Sequence, residues 1–146
     1  MSGCCSGPCG TISAQFDTKR AESDLSLYIR KGPNPTTRLL RDGIVRAGAG
    51  QTVLDVGAGI GAASLELLAA GFSSSVTVDA SPAFVAVARR EAHARGLAAR
   101  MDIQEGDFVT TAAELPSADA VVLDRVVCCY PHFRPILEAA IRRSNR

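Results

Sequence analysis

The stretch VLDVGAGIG at positions 53–61 carries the clearest chemical signal in the chain. A short β-branched run passes into Gly57, Gly59 and Gly61 and then into an Ala/Leu-rich segment, which reads as strand, turn and helix. Glycines at such a turn accept positive φ and let the backbone approach a ligand with no Cβ in between. Asp79 follows at the end of a second apolar run, at the interval of about 20 residues where a carboxylate can accept bonds from both ribose hydroxyls. Turn and acid together imply an adenosine-containing cofactor. Spacing alone leaves its identity open, since Gly57, Gly59 and Ala62 also satisfy the dinucleotide pattern G-x-G-x-x-G/A. Asp55 tilts the balance. It sets a carboxylate on an apolar strand, where an unpaired charge is costly, so it needs a cationic or donor partner. Beside a pyrophosphate it would repel; beside an amino group and a sulfonium it would attract. The plainer alternative is an acid satisfied by local backbone amides.

The elements that must position these groups alternate in type. Residues 17–30 place Ala21, Leu25, Tyr28 and Ile29 at helical spacing, with Gly32 as the stop. Asn34-Pro35 opens a second helix carrying Leu39, Leu40, Ile44 and Val45 on one face. Strands are expected at 52–56, 75–79, 101–105 and 119–127. Helices are expected from Gly61 to about Ala70, from Ser81-Pro82 to Gly96, and from Phe133 to Arg143. The expected class is α/β: a Rossmann-like parallel sheet of about four strands, order 3-2-1-4, with flanking helices and an N-terminal helical extension. Residues 1–15 read as a flexible Cys-containing tail and 16–146 as one domain.

VLDVGAGIG resembles motif I of class I S-adenosylmethionine-dependent methyltransferases, whose acidic-x-Gly-x-Gly-x-Gly pattern falls on Asp55, Gly57, Gly59 and Gly61, with Ala58 between. The resemblance extends to Asp79, Ala80, Ser81 and Pro82, to Gly106-Asp107-Phe108, and to the motif IV-like segment at 118–131. It implies S-adenosyl-L-methionine as cofactor, with Asp79 at the ribose hydroxyls, Asp107 at the adenine amino group and Phe108 beside the ring. One subgroup is more similar still: a Cys-rich start, a segment like that at 28–38, and Cys-Cys-Tyr-Pro after the fourth strand. Some of its members are likened to magnesium-protoporphyrin O-methyltransferases. The position after Tyr-Pro is usually Asp there and is His132 here. In such enzymes the transferred methyl sits beyond the fourth strand, which makes Asp124, Tyr130 and His132 the candidates for orienting the acceptor or taking its proton. Tyr28 and Lys31 are candidates to close over the cofactor's amino-acid moiety. No Asn/Asp-Pro-Pro-Tyr/Phe motif and no Pro-Cys ends the fourth strand, so nucleic-acid amino methylation and cytosine C5 chemistry fit poorly.

Composition narrows the partners. The formal net charge of +1, the absence of Trp and the few aromatics disfavour nucleic acid and point to a small-molecule acceptor. No apolar run approaches the roughly 20 residues of a membrane span, and the start lacks a secretory signal, so a cytoplasmic setting is expected. Five cysteines fall as Cys4, Cys5, Cys9 and the Cys128-Cys129 pair. The first group has no His or second Cys-x-x-Cys pair to complete a zinc site, so a disordered or merely packed tail with no metal is expected, a metal or metalloid role being the alternative. On a strand the pair would point to opposite faces, with at least one thiol packed in the core. His93, beside Arg89, Arg90 and Arg95, reads as a solvated surface residue.

At 146 residues the chain ends at IRRSNR, before the fifth strand, its helix and the C-terminal hairpin of the resembled fold. The fourth strand is then an open edge, expected to pair with another chain as a homodimer, to be covered by the last helix, or to mark a shortened product. Two other functions stay in view: a catalytically incomplete cofactor-binding or interaction fragment, and a NAD-binding oxidoreductase.

Overall fold

The computed structural model describes residues 16–48 and 50–145; the cysteine-bearing stretch 1–15 lies outside the described residues. Helix α1 (Thr18–Lys31) starts where the Asp17 carboxylate accepts from the Arg20 amide, and it stops at Gly32. Helix α2 (Pro35–Arg46) starts where the Asn34 side chain accepts from the Thr37 amide, with Pro35 in its first turn. Then come β1 (Thr52–Val56), α3 (Ala62–Ala69), β2 (Ser74–Asp79), α4 (Pro82–Ala94), β3 (Met101–Glu105), the single turn α5 (Phe108–Thr111), β4 (Ala120–Val122) and α6 (Phe133–Arg142). All strand pairs are parallel, in the expected order β3-β2-β1-β4.

Side-chain alternation along β1 divides the core into two layers. Val53 packs with Ala21, Leu25 and Tyr28 of α1 and with the apolar faces of α3 and α4. Leu54 and Val56 face the other way, onto Phe108, Ala112, Leu115, Ile136 and Ala140. The first two helices are less buried than their spacing suggests. Ile29, Leu39 and Val45 are exposed, while Leu40 and Ile44 pack on the core. His93 is exposed on α4, as read from its charged neighbours.

The fourth strand is shorter than expected, Ala120–Val122 rather than 119–127. Register explains it. Asp55 of β1 lies opposite Val122, and β1 ends one residue later at Val56. Gly57 then turns the chain with φ 61°, so anything beyond Leu123 would have no strand to pair with. The chain leaves the sheet at Asp124, and Arg125 takes a left-handed φ of 59°, which no strand residue adopts. Residues Val127–Cys129 form a 3-10 turn instead. The expectation that at least one of Cys128 and Cys129 packs in the core is therefore corrected: both are exposed.

Residues following α6 return to the start of β4. The Ala118 amide donates to Arg143 O at 2.8 Å, and the Asn145 amide donates to Ala118 O at 2.9 Å. This is a single parallel bridge between Ala118 and Ser144, reinforced by Asn145 Nδ2 on Asp119 at 3.0 Å. Asp119 also accepts from the amides of Gln51 and Thr52, tying the entrance of β4 to that of β1. Among the described residues no helix is long and apolar enough to cross a membrane.

Candidate functional site

Parallel strands bring all four of their carboxyl ends to one side of the sheet, and each end here delivers an aspartate. Asp55 is the penultimate residue of β1 and Asp79 the last of β2; Asp107 and Asp124 each follow two residues after their strand. Among the described residues, the ion pair formed by these four carboxylates is that of Asp124 with the largely exposed Arg125 guanidinium, at 3.5 Å. This end of the sheet is acidic.

Its floor is the glycine turn. Gly57, Gly59 and Gly61 all have φ between 57° and 80°, the left-handed region expected of them. The amides of Gly57 and Ala58 both donate to Val78 O, at 2.8 and 3.2 Å, which anchors the turn to β2. A Cβ on Gly57 would stand 2.6 Å from a methyl of Val126, so the segment after β4 lies directly over this turn. At Gly59 the nearest atom to such a Cβ is the Phe84 ring, at 3.5 Å.

Asp79 shapes the turn as well as flanking it. Its Oδ2 accepts from the Gly59 amide and its Oδ1 from the Ser81 amide, both at 2.8 Å. Burial pushes this carboxyl above its ordinary range and the two amides pull it back. Each oxygen retains a lone pair, so the group can still accept two hydroxyl donors. Ala80, beside it, is exposed.

Asp55 is 1% exposed and satisfied locally, by the Ser64 amide at 3.1 Å and the Ser64 hydroxyl at 2.9 Å. That hydroxyl also meets Thr77 Oγ1 at 3.1 Å. Burial raises the carboxyl to about 7; the Ser64 bonds oppose the rise, and the charges of Asp124 and Asp79 add to it.

Two long-range contacts close the other sides. Tyr130 donates its hydroxyl to Asp107 Oδ1 at 2.8 Å. Because β3 and β4 lie on opposite edges of the sheet, this bond carries residues 126–130 across the ends of β1 and β2. Asp107 also caps α5 through Oδ1, and its Oδ2 makes neither bond. On the far side Asp124 accepts from Thr36 Oγ1 at 2.9 Å and from Thr37 Oγ1, which fastens the start of α2 over the end of β4. Thr37 is fully buried. Replacing it with Val removes the donor and leaves Asp124 under-satisfied. The expected loss is about 1–3 kcal/mol, read as a lower urea midpoint. Thr36→Val, at an exposed position, should stay within about 0.5 kcal/mol.

The structure brings Asp55, Gly57, Ala58, Gly59, Gly61 and Asp79 together as expected, with Asp107, Tyr130 and Asp124 around them. It places other candidates elsewhere. Tyr28 is buried in the α1–α3–α4 layer, donating to Glu66 at 2.8 Å with the Arg95 guanidinium 5.1 Å from its ring. Burial and Glu66 together hold its phenol above the ordinary range. Lys31 is exposed at the end of α1. Phe108 is 4% exposed, inside the core layer beneath the sheet. His132 is exposed at the start of α6, and its side chain caps nothing. Thr36, Thr37, Ser64 and Val126 were not singled out by motif; only Ser64, on the turn that follows the glycines, had a local signal.

A Rossmann-like sheet with a glycine turn and an acid at the end of the second strand defines a nucleotide-cofactor domain of the α/β class. The chain belongs to the methyltransferase domain family, whose model matches residues 53–146. It is 31% identical over 106 residues to a ribosomal protein L11 methyltransferase of Geobacter metallireducens; the match covers 73% of this chain and 33% of that protein. An O-methyltransferase family protein of Burkholderia thailandensis has the same fold with TM-score 0.67 and 20% identity, covering 89% of this chain and 40% of that one. A methyltransferase of Thiobacillus denitrificans in complex with S-adenosyl-L-homocysteine gives TM-score 0.61 and 22% identity, covering 76% and 44%. The chain thus spans between a third and a half of the length of these proteins.

S-adenosyl-L-methionine fits the residues present. Asp79 keeps free acceptor capacity beside the turn, Asp107 keeps one oxygen, and Gly59 leaves open the space a side chain would take. A ring of carboxylates suits a ligand bearing a sulfonium and an ammonium, and opposes a pyrophosphate.

Proposed function

We propose that this domain binds S-adenosyl-L-methionine and serves methyl transfer to a small-molecule acceptor. The observation that carries the reading is the four aspartates at the carboxyl ends of the four strands, of which, among the described residues, Asp124 alone forms an ion pair, with the exposed Arg125. In this reading Asp79 accepts from the ribose hydroxyls and Asp107 from the adenine amino group, with Phe108 supporting the wall behind it. Asp55 and Asp124 supply negative potential toward the cationic centre, and the side-chain-free backbone of the glycine turn lines the cofactor's path. When bound, the sulfonium supplies an electrophilic methyl. The chain's task is then to hold donor and acceptor in line, an effect worth up to about 7–11 kcal/mol in well-oriented reactions. For a hydroxyl or amine acceptor, this reading assigns proton removal to Tyr130 or His132 and orientation of the acceptor to Asp124.

Isothermal titration tests the reading. Binding of both S-adenosyl-L-methionine and S-adenosyl-L-homocysteine is expected; no heat from either overturns it. Protection from thermal unfolding by NAD(H) instead would favour the oxidoreductase reading.

Resemblance to a ribosomal protein L11 methyltransferase supports a second reading, a protein acceptor. Labelled methyl transfer to a panel of small thiols, phenols and amines, run beside ribosomal protein, separates the two. The near-neutral charge of +1 favours the small molecule. Cytoplasmic placement and a homodimer through the outer edge of β4 complete the proposal, the latter read by sedimentation.

A further inference from the structure

Cys128 and Cys129 have no part in the chemistry above, yet they share one turn at its edge. A strand would have separated adjacent side chains; the 3-10 turn Val127–Cys129 places both sulfurs on one side, 3.5 Å apart. Both thiols point at the same acceptor, Arg125 O, at 3.3 and 3.8 Å, which holds the two side chains in register. Both are exposed and neither is in a disulfide. The backbone below them is constrained as well, since Arg125 is held at φ 59° and Val126 rests on Gly57.

From this arrangement we propose that Cys128 and Cys129 form a dithiol site that captures a mono-substituted trivalent arsenic compound, or a thiophile of the same valence, beside the acidic end of the sheet. The argument is one of ligand number. Among the described residues no group of three or more His, Cys, Asp or Glu could hold a metal ion, so a tetrahedral zinc or iron–sulfur centre lacks its ligands. Two soft sulfur ligands, with no third among the described residues, suit a soft centre that needs only two further bonds. An arsenic(III) carrying one organic substituent and two hydroxyls is such a centre. Each thiol hydrogen leaves with one hydroxyl as water, two As–S bonds replace two As–O bonds, and arsenic stays trivalent. No oxidant or reductant is consumed. Hydrogen bonding with Cys128 and partial burial raise the Cys129 thiol, with Arg125 opposing. Condensation does not depend on a standing thiolate at Cys129, because the thiol proton leaves in the water that forms. A chelate closed by two residues on one turn also avoids the ordering cost that two separate thiols would meet.

The test uses the full chain with C4S, C5S and C9S changes, since Cys4 and Cys5 are themselves adjacent. Phenylarsine oxide is the probe and free-thiol titration the readout. One equivalent should reduce the count from two thiols per chain to none. The adduct should survive a large excess of a monothiol and be reversed by ethane-1,2-dithiol. Adding C128S or C129S should abolish monothiol-resistant capture, with the thermal unfolding midpoint confirming that each variant is folded. A requirement for two arsenicals per chain, one arsenical shared by two chains, release by monothiol, or a C128S protein that retains the resistant adduct would each overturn the proposal.

Discussion

Asp79→Ala is expected to raise the dissociation constant for S-adenosyl-L-methionine by roughly a hundredfold or more while leaving the domain folded. Two effects add. The variant loses the carboxylate proposed to receive both ribose hydroxyls; a hydrogen bond to a charged group contributes about 1.5–3 kcal/mol, so two give about 3 kcal/mol or more. It also strips the Gly59 and Ser81 amides of their acceptor, and Gly59 sits at φ 57° in the turn that must present the backbone. Asp79→Asn keeps one acceptor oxygen and should fall between the two proteins. Calorimetric titration of all three gives the ranking. A folded Asp79→Ala protein that binds within threefold of the parent would sink both the ribose assignment and the role given to this carboxylate.

The second large effect is a pH dependence centred on Asp55. Its folded-state carboxyl is raised to about 7 by burial, against an ordinary 3.8. The native state therefore holds a proton that the unfolded chain releases, and folding takes up protons between these values. With the native state binding more protons, stability falls as pH rises through this window. Below about 4 the effect is absent; above about 7 it levels off at a penalty of up to about 4 kcal/mol. Other groups act oppositely. Asp119, held well below the ordinary range by Asn145 and the Gln51 and Thr52 amides, loses its contribution on acidification. The informative quantity is the difference between the parent and Asp55→Asn, measured by urea unfolding without cofactor from pH 4.5 to 8.5. The parent should lose ground to the variant as pH rises; a flat difference contradicts the assignment. A cationic ligand nearby favours the carboxylate, so cofactor binding should release a proton and tighten as pH rises toward 7.

These two residues also show how much of the site the sequence discloses. Asp55, the three glycines and Asp79 are legible because each sits at a strand end or turn whose geometry is set by neighbours in the chain. The caps at Asn34 and Ser81 and the stop at Gly32 are legible for the same reason. What Asp55 does with its charge was readable only as a choice between donors and a cation, and the fold supplies Ser64. Tyr28 illustrates the opposite case. Its position at the end of a helix suggested a lid, but α1 packs on α3 and α4, and the phenol is taken up by Glu66, 38 residues away.

By itself, then, the sequence determined the order of strands and helices, the two-layer core and the acidic, glycine-lined floor, because those follow from periodicity and from backbone conformations open to glycine. The tertiary structure decided where β4 ends, since that depends on β1 turning away at Gly57 across a pairing that no local pattern encodes. From that early end come the arm that carries Tyr130 to Asp107, the Thr36–Thr37 clasp on Asp124, and the turn that sets Cys128 beside Cys129. Each joins atoms far apart in the chain or reverses a strand's alternation, and only a packed sheet can fix such distances.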